Sequence, residues 1–455
     1  MSYPPECSHH KPQASNLRLL CLSNGHGEDI IAVRILQELQ QRSTSFNIAA
    51  LPLVGEGRAY TQVGIPLIGS VKTMPSGGFV YMDGRQLMRD LKGGLLQLTL
   101  AQLGVIRSFS HNQAQPSHQE SAILAVGDIV PLLFAWWSGA NYAFVGTAKS
   151  EYYVRDENGN LQGRSPFTRL ENWSGSVYHP WERWLMSHPR CQAVFPRDSF
   201  TTLTLQKLSI PAFDLGNPMM DNLEPVTPLD ISDLQKRRSL TILLLPGSRP
   251  PEAYNNWEQM IAAAEGLMAA FSDRNLIFLA AIASGLNLEP LCQNLVNAGF
   301  VGVGSPEIPG VEQTIQLNPP LQESKFQNAL TFKRKNGFVI LTQHAYNECL
   351  HIAAIAIAMA GTATEQFVGL GKPAITFPGK GPQFTYTFAE AQSRHLGASI
   401  ILIENPQQVA DAVQFLLNNP ERLKLIAENG LRRMGKPGAA KRIAQCLIER
   451  ITPPF

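Results

Sequence analysis

Five short segments hold residue types and spacings that can do chemistry. The sharpest is Ile242–Arg249, an apolar run ending in Pro246-Gly247-Ser248-Arg249 and followed by Pro250-Pro251-Glu252. Small residues at a strand's end let backbone N–H groups approach a phosphate, and a helix starting near Glu252 would add the positive end of its dipole. Arg249 supplies a planar fork that matches diphosphate oxygens. The same residues also suit an ordinary β–α turn whose arginine pairs with a surface carboxylate.

The second segment is Ala360–Gln366. Gly361, Thr362 and Thr364 are small enough to admit a ligand, and Glu365 can accept hydrogen bonds from a ribose diol. Thr362-x-x-Glu365 is also a capping box, the plainer local reading. The third is Ser23–Asp29, where Gly25 and Gly27 flank His26 ahead of Glu28 and Asp29. His26 can serve as a general base or acceptor ligand, with Gly25, Gly27 and Glu28 forming an acceptor-side loop. Asp29 equally suits a helix N-terminus. The full G-x-G-x-x-G dinucleotide pattern is missing. The fourth is Ala125–Pro131, where Asp128 ends an apolar strand: a partly desolvated carboxylate there can deprotonate a hydroxyl, or can simply cap the next helix. In the fifth, Phe377–Gln383, Lys380 or Gln383 can reach a nucleotide or sugar, or the turn is a plain loop.

All five must be positioned by alternating strands and helices. Apolar runs at 17–23, 47–53, 122–126, 142–145 and 192–195 are separated by amphipathic stretches, and the alternation restarts with 240–245, 276–281, 337–341, 353–358, 372–377 and 399–403. Such alternation predicts parallel β-α-β units with both sheet faces covered. Residues 216–239, rich in Pro, Asp and Asn, read as a linker. The expected division is therefore an N-terminal domain over 1–218, a linker over 219–239 and a C-terminal domain over 240–455, whose last helix can return to the first. Residues 151–190 and 304–334 break the pattern and read as insertions. Each doubly wound sheet places its ligand outside the carboxyl ends of its strands.

Size and composition agree. A chain of 455 residues exceeds the roughly 250–300 at which one core stops growing. A net charge of +2 gives no electrostatic case for nucleic acid. The six cysteines are scattered without a C-x-x-C pair, which fits a reducing compartment and argues against both a disulfide framework and a zinc site. No stretch of about 18 apolar residues reads as a spanning helix, and the polar N-terminus carries no signal pattern. The expectation is a cytoplasmic protein. Residues 86–105, apolar with Arg89 and Lys92, suit either core packing or a peripheral membrane contact.

LLPGSR followed by Glu252, then AGTATEQ, with Asp128 behind a mid-chain strand, resembles the lipid-A-disaccharide synthase family, in particular the related set known from cyanobacteria. The motifs occur in the family's order over most of the chain. The resemblance implies the GT-B architecture, with two Rossmann-like domains facing a central cleft. It implies an inverting, metal-independent transfer from a UDP-sugar to a lipid-linked hydroxyl, with no cofactor. Arg249 and the backbone of Gly247 and Ser248 would hold the diphosphate, Glu365 the ribose, and Asp128 would stand at the proposed base. The segment 86–105 would correspond to the family's membrane-contacting stretch. The family's first loop reads G-E-x-S-G-D, where this chain has Gly25-His26-Gly27-Glu28-Asp29. After Asp128 it carries a second Asp and an Asn, where this chain has Ile129-Val130-Pro131. These departures fall on the acceptor side, so the donor class carries over better than the acceptor. A nucleotide-sugar 2-epimerase and a non-catalytic sugar-nucleotide binder are the alternatives.

Overall fold

The computed structural model describes residues 17–25, 27–43, 46–71, 95–111, 120–157, 159–160, 174–223, 238–303, 326 and 328–451. In its first half lie β1 (Leu17–Ser23), β2 (Phe46–Pro52), β3 (Ser121–Gly127), β4 (Asn141–Gly146), the short antiparallel pair β5 (Arg155–Asp156) and β6 (Gly159–Asn160), and β7 (Cys191–Phe195). Five of these form one parallel sheet in the order β2-β1-β3-β4-β7. The strands are buried almost end to end, as strands covered on both faces must be.

The second half holds β8 (Ser239–Leu245), β9 (Asn275–Ala281), β10 (Val301–Val303), β11 (Leu330–Arg334), β12 (Gly337–Thr342), β13 (Ile355–Ala358), β14 (Ala374–Thr376) and β15 (Ile400–Leu402). They form an eight-stranded sheet in the order β10-β11-β12-β9-β8-β13-β14-β15, parallel except at the β10–β11–β12 edge. Its two faces carry separate apolar cores, one around Trp257 and Phe278, the other around Met220, Leu243 and Phe367. The chain thus builds two Rossmann-like α/β sheets.

Strand order decides where ligands can sit. In the first sheet β2 lies on one side of β1 and β3 on the other; in the second, β9 and β13 flank β8 in the same way. These are the points where the winding reverses, and the loops leaving the paired strands diverge to opposite faces and open a crevice. The registers align the strand ends, with Ser23 opposite Val126 and Leu245 opposite Ala358.

Several expectations change here. Leu330–Arg334, read as part of an insertion, is an antiparallel strand of the second sheet. The start of the proposed linker is packed, with Met219, Met220 and Leu223 in the second sheet's core. Asp221 accepts the N–H groups of Gly438, Ala439 and Ala440 at 2.6–2.9 Å. That caps the last helix (Ala439–Ile451), whose Ile443, Ala444 and Leu447 join the first sheet's core. The apolar 86–105 stretch is described only from Leu95, as part of a helix Leu95–His111 whose Leu98, Gln102, Ile106 and Phe109 face inward. Among the described residues no helix is long and apolar enough to cross a membrane.

Candidate functional site

At the β8 end, Gly247 adopts φ +99° and approaches the carbonyl of Met359 so closely that a Cβ would lie 3.3 Å from its oxygen. A side chain there would be strained and crowded, so glycine keeps the loop flat against β13. The turn is pinned from behind. Asn256 Nδ2 donates to the Pro246 carbonyl at 3.0 Å, and Glu252, in the first turn of the helix Glu252–Ala270, accepts the N–H groups of Gln383 and Phe384 at 3.1 and 2.6 Å. The Phe377–Gln383 loop is therefore bound to the Gly247 turn through Glu252, which brings Gln383 into the site by its backbone. Burial pushes the Arg249 guanidinium below its ordinary pKa, against the pull of Glu252 and Glu28. Arg249 thus feels charge from both halves of the chain.

Beside it, Ala360–Gln366 corrects the capping-box reading. The helix begins at Thr362 after Gly361, with no side-chain cap, and Thr364 Oγ1 donates back to the Ala360 carbonyl at 2.6 Å. Glu365 points away from its own helix terminus. Its Oε2 accepts from Arg197 Nη2 at 2.7 Å, and both side chains are nearly buried. Burial draws the Arg197 pKa down, but Glu365, Tyr153 and Asp198 outweigh it and hold it above the ordinary value. His395 Nε2 lies 3.7 Å from Glu365 Oε1. It is fully buried beside Arg197 and Arg433 and is pushed well below its usual pKa, so it stays neutral.

Arg197 was not among the sequence candidates. It lies two residues past β7, just before the helix Ser199–Lys207 that Asp198 caps, a strand-end position like the one that singled out Asp128. Its other arm donates to the Thr147 carbonyl at 3.0 Å. Thr147 stands just past β4, donates from its N–H to the Gly127 carbonyl (3.1 Å), and donates from Oγ1 to Glu28 Oε1 at 3.3 Å. A continuous polar path therefore runs from the β1 end through the β4 and β7 ends to Glu365 on the second sheet.

On the first sheet, Gly25 has φ +96° and a Cβ there would sit 2.4 Å from the Val54 carbonyl oxygen, so only glycine fits the turn. His26, one of the two candidate bases, lies outside the described residues. Gly27 opens the first helix, Gly27–Arg42. Asp29 lies behind the loop, accepting from Ser23 Oγ at 2.6 Å; burial raises its pKa to about 6 against that bond. Asp128 caps the helix Ile129–Trp137, accepting from Val130 N at 2.8 Å. Burial pushes Glu28 up to about 7; Asp128 and Asp29 add to the rise, while its backbone bond and Thr147 oppose it. The structure thus gathers Gly25, Gly27, Glu28 and Asp128 on one side, and Gly247, Ser248, Arg249, Gly361, Thr362, Thr364, Glu365 and Gln383 on the other.

No family model and no curated protein sequence matches the chain. Solved structures do. UDP-GlcNAc 2-epimerase from Neisseria meningitidis, bound to UDP-GlcNAc, aligns over 95% of this chain and 100% of its own at 14% identity and TM-score 0.51. CalG4, the calicheamicin glycosyltransferase, aligns over 96% and 100% at 14% identity and TM-score 0.53. MurG from Acinetobacter baumannii aligns over 95% and 99% at 13% identity and TM-score 0.50. At such identities the likeness is one of fold, and the fold of this chain is GT-B, with two Rossmann-like domains.

Proposed function

We propose that the protein is a UDP-sugar-dependent glycosyltransferase, related to lipid-A-disaccharide synthase, that acts by inversion on a lipid-linked hydroxyl. The observation that carries this reading is the pairing of two winding-reversal points, one bearing the Gly247–Arg249 turn and the other Glu28 and Asp128. The donor diphosphate would take the Gly247 and Ser248 N–H groups and the Arg249 fork, as a helix N-terminus and a guanidinium favour. Glu365, oriented by Arg197, would accept from the ribose hydroxyls, with Gly361, Thr362 and Thr364 leaving room and the Gln383 loop closing over the sugar. Developing charge on the leaving diphosphate would be stabilised by these fixed donors, and the sequence offers no D-x-D pair for a metal. The UDP-sugar enzymes among the structural neighbours support the donor class.

An epimerase is the second reading, favoured by the likeness to the Neisseria enzyme. It would call for working carboxylates on both domains. Here Glu252 is committed to the Gln383 and Phe384 N–H groups and Glu365 to Arg197, which supports transfer. The test is product analysis with UDP-N-acetylglucosamine. Transfer predicts UDP release that rises with added lipid-linked acceptor and no epimer; epimer formed without acceptor would replace the reading. Tight UDP binding with no turnover on a panel of acceptors would favour the non-catalytic alternative.

The acceptor's lipid character draws support from an exposed aromatic surface on the first domain. Trp181 and Trp184 on the helix Pro180–Met186 are 56% and 54% exposed, and Trp137 is 45% exposed beside Leu133. Trp136 bridges them, its ring 5.3 Å from that of Trp184. Arg107, from the helix Leu95–His111, lies over Trp137 at 5.1 Å, and Leu100 is exposed on the same helix. Exposed Trp with flanking cations suits the headgroup layer of a bilayer. The proposed contact therefore centres on Trp137, Trp181 and Trp184 as much as on the 86–105 stretch. Changing these three to Ser is expected to lower binding to anionic vesicles at least tenfold in a sedimentation assay; unchanged sedimentation would assign them another role.

A further inference from the structure

The reaction proposed above needs a group that takes the acceptor's proton, and the described geometry distinguishes the carboxylates near it. Asp29 lies behind the Gly25 turn, tied to Ser23. Asp128 is fixed to the Val130 N–H as a helix cap. Glu28 differs from both. It stands in the first helical turn, half-buried, with Thr147 Oγ1 on Oε1, and it interacts electrostatically with Asp128 on its own sheet and Arg249 on the other. Of the three it is therefore the one that interacts with both Asp128 and the Arg249 turn of the proposed diphosphate site.

Resting on the functional reading above, we propose that Glu28 is the proton acceptor of the transfer step, positioned by Thr147. The acceptor oxygen bonds to C1 of the sugar, its proton passes to the Glu28 carboxylate, and the C1–O bond to the diphosphate breaks with its electron pair leaving on UDP. Glu28 then returns the proton to solvent. Asp128 acts through its charge. A second negative charge near Glu28 raises its proton affinity, which a base working near neutrality needs. Among the described residues, the charged and titratable groups facing Glu28 are Asp128 from the third strand's end, Asp29 on its own helix and Arg249 from the second sheet, with Arg197 reaching Thr147. Burial, the Asp128 and Asp29 charges and the opposing hydrogen bonds leave the carboxyl at about 7, so turnover should rise with pH to a plateau above that value.

The test uses the full chain with a UDP-sugar and a lipid-linked hydroxyl acceptor. E28Q should lose about 10²- to 10⁴-fold in turnover while binding UDP within twofold of wild type, and its residual rate should no longer rise through pH 7. E28D should recover part of the rate, and T147V should shift the wild-type pH limb without abolishing turnover. Folding is checked independently. The folded-state pKa of Glu28 exceeds the unfolded one, so its ionised form costs stability above pH 7 and the cost fades as pH falls towards the unfolded value. E28Q should therefore melt at or above the wild-type temperature at pH 8. An E28Q protein that binds UDP and keeps more than a tenth of wild-type turnover overturns the assignment and leaves the donor site standing. A wild-type protein that fails to bind UDP overturns the functional reading and this proposal with it.

Discussion

Replacing Arg197 with Met is expected to lower the stability of the folded chain by about 3–5 kcal/mol, the usual cost of leaving one partner of a buried ion pair uncompensated. The side chains of Arg197 and Glu365 are 5% and 10% exposed and meet at 2.7 Å across the two sheets. His395, 3.7 Å from Glu365, is fully buried, and that burial opposes its taking a charge in place of the guanidinium. The Thr147 carbonyl would lose a donor as well. Changing both partners to apolar residues should recover much of the loss, since the pair itself is close to neutral against well-packed hydrophobic replacements. A denaturation cycle of R197M, E365L and the double variant measures the coupling. A single-variant loss under about 1 kcal/mol, the range of exposed pairs, would mean that solvent reaches the pair and that it does not tie the domains.

Arg249→Ala should weaken UDP binding by about 1–3 kcal/mol, the value of a charge-assisted hydrogen bond lost to a diphosphate. The expected loss is roughly 5- to 150-fold in Kd. Arg249→Lys should fall between, because a point charge replaces a bidentate fork. The scaffold should tolerate both changes, since Asn256, Glu252 and the Gly247–Met359 contact hold the turn. The comparison is calorimetric, with UDP as titrant. Equal affinity in wild type and R249A would remove Arg249 from the donor site.

Much of the scaffold is legible in the sequence because a parallel strand buried on both faces is written as an unbroken apolar run. Leu240–Leu245 and Ala122–Val126 announce themselves in this way. The antiparallel edge does not: in Leu330–Arg334 only Thr331 and Phe332 are buried, between exposed Leu330 and Lys333, and the segment reads as polar loop. Strand-end loops with glycine are also legible, since Gly25 stands where no Cβ fits and Gly247 where one would be strained and crowded. What the sequence hides is pairing over distance. Thr362-x-x-Glu365 satisfies the local capping pattern, yet the Glu365 carboxylate binds an arginine 168 residues away, and no local window contains that competitor. Arg197 was missed for the same reason, although asking which charged residue comes first after each apolar run would have flagged it. The reversal of winding at β1 and β8 likewise depends on which distant strand fills the second side of each, and local periodicity carries no record of it.

In the proposed reaction a nucleoside diphosphate sits on the Gly247–Arg249 turn and faces Glu28 across the gap between the sheets. A crystal structure of the protein soaked with a UDP-sugar tests it most directly. Diphosphate oxygens are expected within hydrogen-bond distance of the Gly247 and Ser248 N–H groups and the Arg249 guanidinium, with the ribose beside Glu365. A nucleotide bound elsewhere, with that turn empty, would contradict it.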